Sequence, residues 1–319
     1  MSRLTRSPLI SLEKRAGTPP RIHAKRKVAW WAVALFLGPW VVGMVWLTIV
    51  PIITSFYYSL TDYHFFGTTE WVGLDNYVTL FTDPRLAKSL TVTFIYVGVS
   101  TPLKLALALA VALLLQQRIR AVGFYRAAYY LPSLLGASVA AAILWRQLFG
   151  AQGVLDQILM FFGAESKSYV SSPDTAIWTM VALAVWQFGA PMVIFLAALQ
   201  QVPTELYEAA DLDGASYLRK LFSVTIPLIT PFILFNGIMQ VVTSFQSFTP
   251  AYILSGGTGG PADSTLVYAL YLYEEAFTRL RMGYASAMAW LLLAIVGVFT
   301  LVLYMSGRKW VFNADEVSR

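Results

Sequence analysis

Six long apolar stretches divide the chain: Val28–Val50, Leu90–Leu115, Tyr125–Leu148, Thr175–Leu199, Ile226–Ile253 and Tyr284–Ser306. Charge, glycine and proline collect between them. A helix rising about 1.5 Å per residue needs about 20 mostly apolar residues to cross roughly 30 Å of hydrocarbon, and every stretch is long enough. Lipid offers backbone N–H and C=O groups no partner, so each stretch must satisfy them internally, as a helix does. The pattern predicts an all-α membrane protein with about six transmembrane helices. The connecting segments Pro51–Ser89, Gln147–Asp174 and Ala251–Gly283 are long and rich in aromatics and glycine.

Composition supports a lipid solvent. Of 319 residues, 57% are hydrophobic and 13% charged, against roughly 25% charged in a typical soluble domain; mean hydropathy is +0.62. The net charge of +6 does not point to nucleic acid, because eight basic residues, from Arg3 to Lys27, sit directly before the first apolar stretch. Such an excess belongs on the cytoplasmic side of a membrane. With both termini inside, Arg118, Arg120, Arg126, Arg219, Lys220, Arg308, Lys309 and Arg319 join them there. This orientation divides the chain into a basic cytoplasmic tail (1–27), a transmembrane domain (28–306) and a short cytoplasmic C-terminal tail (307–319). Val28–Val50 exceeds the h-region of a signal peptide and no small-residue cleavage pattern follows, so it is expected to stay in the membrane. There is no cysteine, and the two histidines, His23 and His64, stand far apart. Disulfides, thiolate nucleophiles and Cys/His zinc sites are excluded, and no metal site is expected.

The segment between the fourth and fifth stretches carries the chemistry. It reads Val202-Pro203-Thr204-Glu205-Leu206-Tyr207-Glu208-Ala209-Ala210-Asp211-Leu212-Asp213-Gly214-Ala215 and runs on to Val224-Thr225-Ile226-Pro227. Pro203 suits a helix start, and Asp213-Gly214 a helix end. A second short helix, Ala215–Ser223, would follow, with Pro227 opening the fifth span. The spacing gives two short helices around a glycine elbow.

Glu208-Ala209-Ala210, three residues, Gly214, nine residues and Val224-Thr225-Ile226-Pro227 resemble the signature loop of the permease subunits of ABC importers. Trp71-Val72-Gly73-Leu74-Asp75-Asn76-Tyr77, Leu131-Pro132, Trp145 with Leu148-Phe149, Gly259-Gly260-Pro261 and Tyr284-Ala285 resemble the carbohydrate-uptake branch, the maltose and glycerol-3-phosphate type. The likeness covers roughly Trp71–Gly307. It implies a permease of a bacterial inner membrane importing a sugar or related polyol; a non-carbohydrate solute such as a glycerophosphate is the alternative. Glu205, Glu208, Ala209, Ala210, Asp213, Gly214 and Pro227 would then form a cytoplasmic coupling loop between spans four and five. That loop would seat in a cytoplasmic ABC ATPase dimer, which would use ATP and magnesium. A second permease, different from this chain unless the pair is a homodimer, and an extracytoplasmic solute-binding protein would complete the assembly. A solvated loop with routine turn residues is the competing reading of the elbow.

The chain has no Gly-Lys pair, hence no P-loop of its own. Gly256–Pro261 lacks the lysine of a phosphate cradle and reads as a flexible or docking loop. A secondary transporter would want intramembrane carboxylates or an inverted repeat, and a hydrolase a Ser/His/Asp set; neither pattern is present. No enzyme activity and no bound cofactor is expected of this chain itself.

Within the fifth stretch, Asn236, Gln240, Thr243, Ser244 and Ser247 fall on about 100° of arc. Such a stripe should face protein or a watery cavity. It reads either as a solute path, with Phe232 near enough to stack on a sugar ring, or as interhelical hydrogen bonding worth about 0.6 kcal/mol per contact. Trp186 and Gln187 in the fourth stretch are further candidates. Lys104 stands inside the second stretch, where a central lysine costs about 2.5–3.5 kcal/mol. It either points into the bundle, snorkels outward, or meets an anionic solute.

Overall fold

The computed structural model describes residues 30–64, 69–117, 121–136, 138–163 and 165–312. The basic tail 1–27, Arg118, Arg120 and residues 313–319 lie outside them. The chain divides after Ile53 into two compact units.

The first unit holds α1 (Trp30–Met44), a π-turn, Val45–Ile49, and the start of α2 (Val50–Ser59), whose residues from Thr54 on belong to the second. No described side chain of α1 is buried, and Trp30 and Phe36 are each 83% exposed. A helix apolar on every side takes lipid as its solvent. The expected end of the first span at Pro51 is corrected, because the apolar helix runs Val33–Ser59. Val50 N–H reaches back five residues to Val45 O, and the widened turn gives the ring of Pro51 room to continue the helix.

After the end of α2, the second unit continues with a two-residue antiparallel ladder, β1 (Thr61–Asp62) against β2 (Glu70–Trp71). Next come α3 (Asp75–Thr82) and the 33-residue α4 (Pro84–Gln116). α4 starts ahead of the expected Leu90 because Asp83 caps it. Its carboxylate accepts from the N–H groups of Arg85 and Leu86, and Pro84 takes the first helical position.

The third expected span is not one helix. α5 (Val122–Leu135) and α6 (Val139–Phe149) are separate, with Ser138 capping α6 by accepting from Ala141 N–H; α7 (Val154–Phe161) follows. The bend between α5 and the segment Val139–Phe161 is 95°. The fourth breaks more gently, α8 (Pro173–Trp186) and α9 (Gly189–Leu199) meeting at 40°.

Then come α10 (Thr204–Leu212), α11 (Tyr217–Lys220), a second π-turn at Leu221–Thr225 and α12 (Ile226–Phe245). The expected separate helix Ala215–Ser223 is corrected: from Tyr217 on it is the first part of span five, Tyr217–Phe245, with Ser216 as its cap. A proline again follows the π-turn: Ile226 N–H donates to Leu221 O, and Pro227 comes next. Span five stops at Phe245 rather than Ile253, since α13 (Thr249–Ser255) is a separate helix opened by Pro250. α14 (Tyr268–Tyr273), a third π-turn at Glu274–Thr278 and α15 (Met282–Trp310) complete the described chain. Among the described residues four helices are long and apolar enough to cross a membrane, or six if each bent pair counts as one span. An all-α membrane protein is what the sequence predicts.

The second unit has two apolar cores stacked along α4. One gathers Leu86, Val92, Tyr96 and Val97 of α4 with Met180 and Leu183 of α8, Phe245 of α12 and Tyr268 and Tyr271 of α14. The other gathers Ala108, Ala112 and Leu115 of α4 with Met192, Phe195 and Leu199 of α9 and Ile229 of α12. Between them lies a waist. Here α4 carries Ser100, Thr101 and Lys104, and α12 carries Asn236 and Gln240.

Candidate functional site

The elbow is built from its capping. Pro203 precedes α10, and Glu205 in the first turn complements the positive end of the helix. At the far end Gly214 takes φ +71°, a backbone that disfavours any Cβ. Ala215 N–H donates to Ala210 O at 2.9 Å and Gly214 N–H to Asp211 O at 3.0 Å. This pair of bonds is a Schellman closure, and it fixes the turn without burying it. Glu205, Glu208, Ala209, Asp213 and Gly214 are exposed; Ala210 and Pro227 are part-buried. Leu212 is 90% exposed.

The elbow is tied to span five from behind. The Tyr207 and Thr225 hydroxyls hydrogen-bond at 2.9 Å, and Lys220 Nζ meets Asp211 Oδ1 at 2.6 Å. The structure thus brings six of the seven candidates onto one largely exposed helix and turn, with Pro227 near the start of α12.

The polar waist holds four of the eight path candidates together. Gln240, Thr243, Ser244 and Ser247 line a cavity of about 210 Å³ with Tyr96 and Lys104 of α4. Ser244 Oγ and Thr101 Oγ1 are 3.3 Å apart, and Ser247 Oγ donates to Tyr96 OH at 3.4 Å. Thr243 Oγ1 returns to its own helix, donating to Met239 O. Ser100 Oγ, Asn236 Nδ2 and Gln240 Oε1 are buried with no hydrogen-bond partner among the described residues.

The other candidates lie elsewhere. Asn236 is 1% exposed and does not line the cavity. Phe232 packs on the core around Phe195, and Trp186 on the core around Tyr268, 5.5 Å from Trp145. Gln187 sits at the α8–α9 break, where its Nε2 donates to Gly136 O and Leu183 O. Ser133 Oγ donates to Gln187 O and accepts from Ala190 N–H, both at 3.0 Å. A Cβ on Gly189 would stand 2.4 Å from Tyr129 O, so α5 approaches closely only because that residue is glycine.

At the end of α4 opposite the elbow is a charge network that sequence reasoning missed. Arg85 grips both oxygens of Asp263 at 3.0 and 3.1 Å and Glu274 Oε1 at 2.7 Å. Glu275, fully buried, receives Arg279 at 2.8 Å and Arg281 at 3.2 Å. Asp83 accepts from the hydroxyls of Tyr271 and Tyr284 at 2.6 and 2.7 Å. Burial alone would raise the Asp83 carboxyl. The four donations from Tyr271, Tyr284, Leu86 N–H and Arg85 N–H outweigh it and hold Asp83 below its usual range. Burial, reinforced by that same carboxylate, pushes the Tyr271 phenol up. Only the Asp83-Pro84 cap was a signal in the sequence.

Residues 71–77 take a structural part. Asn76 Nδ2 donates to the carbonyls of Ser59 and Thr61, and the Tyr77 hydroxyl meets Ser59 Oγ at 2.8 Å.

The family described as "Binding-protein-dependent transport system inner membrane component" matches residues 83–310. The chain belongs to this family. It is accordingly a multi-pass inner-membrane transport component. It is 45% identical over 278 residues to the "Probable ABC transporter permease protein YesP" of Bacillus subtilis (strain 168), covering 86% of this chain and 90% of that one. It is 32% identical over 277 residues to the "sn-glycerol-3-phosphate transport system permease protein UgpA" of Shigella flexneri (86% and 93% covered). To the "Arabinooligosaccharides transport system permease protein AraP" of Bacillus subtilis (strain 168) it is 29% identical over 305 residues (94% and 95% covered). A crystal structure of a bacterial ABC transporter importing the acidic polysaccharide alginate shares the fold. Its TM-score is 0.71 at 20% identity, with 88% of this chain and 96% of that chain covered.

Proposed function

We propose that this chain is one of two permease subunits of an ABC importer that carries a sugar or related polyol. In this reading both termini face the cytosol, and the elbow Thr204–Gly214 lodges in a cleft of a separate ATPase dimer, where ATP and magnesium are used. An extracytoplasmic binding protein delivers the solute to the opposite face. Closure of the ATPase pair moves the elbow, and the Tyr207–Thr225 and Lys220–Asp211 contacts pass that motion to α12, which lines the polar waist.

The observation that carries the reading is the exposed, capped elbow. An exposed leucine on a rigidly capped turn, held from behind and free in front, has the form of a contact point for another protein. The sugar is supported by the relative whose name specifies arabinooligosaccharide transport and by uncharged hydroxyl and amide groups in the waist.

The test is transport by the assembled complex carrying Gly214→Val or Glu208→Lys. Uptake and solute-stimulated ATP hydrolysis should both fall by about tenfold or more, within the usual span of coupling free energies. Wild-type levels of both would overturn the reading.

A further inference from the structure

We infer that the solute bears a carboxylate, and that Lys104 Nζ receives it in the waist. The inference rests on the reading of the waist as part of the solute path. Lys104 stands in α4, twelve residues from its last residue Gln116, roughly 18 Å along the axis. It is part-buried and lines the same cavity as Gln240, Thr243, Ser244 and Ser247.

No carboxylate of the described chain answers its charge. The ion pairs join other residues: His64–Asp62, Lys220–Asp211 and the Arg85, Arg279 and Arg281 network. α4, α9, α12 and α15 contain no Asp or Glu. α8 has only Asp174, exposed in its first turn. Asp156 of α7 is fully buried and already accepts from Gln152 N–H, Ser166 Oγ and Lys167 N–H.

A lone cation set among neutral amides and hydroxyls is a one-sided site. The uncharged groups can exchange hydrogen bonds with the hydroxyls of a sugar, and the buried Gln240 Oε1 has no partner of its own. A neutral sugar would leave the ammonium without a counter-charge; a uronate answers it with one negative charge. A phosphate monoester fits less well. It carries about 1.5 to 2 negative charges and would leave part of that uncompensated beside a single lysine.

The experiment uses the whole complex, both permeases with the ATPase pair, in lipid nanodiscs. Equilibrium binding is measured for galacturonate, its neutral methyl ester and galactose 1-phosphate, with wild-type, Lys104→Met and Lys104→Arg proteins. Galacturonate is expected to bind about tenfold or more tightly than the ester, a difference of one charge in otherwise matched molecules. Lys104→Met should erase that preference, Lys104→Arg should keep most of it, and galactose 1-phosphate should bind more weakly than galacturonate.

Equal binding of acid and ester overturns the inference and leaves the path reading standing. So does a preference that survives in Lys104→Met, or tighter binding of the phosphate. If Lys104→Met separates the two permeases, a carboxylate of the companion subunit holds the lysine and the inference falls. If no probe binds and Gln240→Ala leaves solute-stimulated ATP hydrolysis unchanged, the path reading itself falls with it.

Discussion

Gly214 shows how one backbone angle makes a handle. At φ +71° a side chain is strained, yet nothing lies within 4 Å of where a Cβ would stand. Asparagine tolerates this conformation, whereas a β-branched residue resists it. Gly214→Asn should therefore keep uptake near wild type. Gly214→Val should lose most of it while the protein still assembles at a melting temperature close to the parent's; equal uptake by both variants would contradict the role of the turn. Asp83 makes a second case. A carboxyl held below its ordinary value of 3.8 adds stability that is fully present above that pH and is lost as pH falls through the lowered value. The melting temperature of the purified protein should thus decline in acid below about pH 4. Asp83→Asn should lower it at neutral pH and flatten that acid decline, an outcome read by thermal scans at several pH values.

Elements were legible where apolar sequence runs unbroken. α4 and α15 match the second and sixth expected stretches to within about six residues, because nothing inside them offers the backbone another partner. The breaks were not legible. Gly136, Ser138 and the Gln187–Gly189 step sit within apolar runs, and their effect depends on contacts across about fifty residues, Ser133 to Gln187 and Ala190. Ser133→Ala removes that hydroxyl and strands Ala190 N–H and Gln187 O, so it should cost about 1–3 kcal/mol. Denaturation of the detergent-solubilised protein measures it; an unchanged midpoint would mean the break is held by packing alone. The π-turns at Leu221–Thr225 and Val45–Ile49 were equally hidden, since Pro51 and Pro227 read as helix boundaries from sequence. Each is instead carried through by a widened turn just before it.

Over the whole molecule, the second unit places three polar features along α4 that are far apart in sequence. The network of Arg85 with Asp263 and Glu274 joins residues nearly two hundred positions apart, which no local pattern announces. The elbow at the opposite end was readable, because its helix formers, its Asp213-Gly214 stop and its proline are all local. The waist was readable in part. The stripe of α12 was visible in its spacing, but only folding sets Gln240 and Ser244 beside Lys104 and leaves Asn236 and Phe232 elsewhere.

The account depends on the elbow meeting an ATPase on the cytosolic side. The chain has no cysteine, so Leu212→Cys is a single reporter without background. Membrane-impermeant maleimide applied to sealed vesicles of known orientation measures which side it faces, with and without the ATPase pair. The account predicts labelling only from the cytosolic side, and protection when the ATPase is bound. Labelling from the outer side, or labelling that the ATPase leaves unchanged, would contradict it.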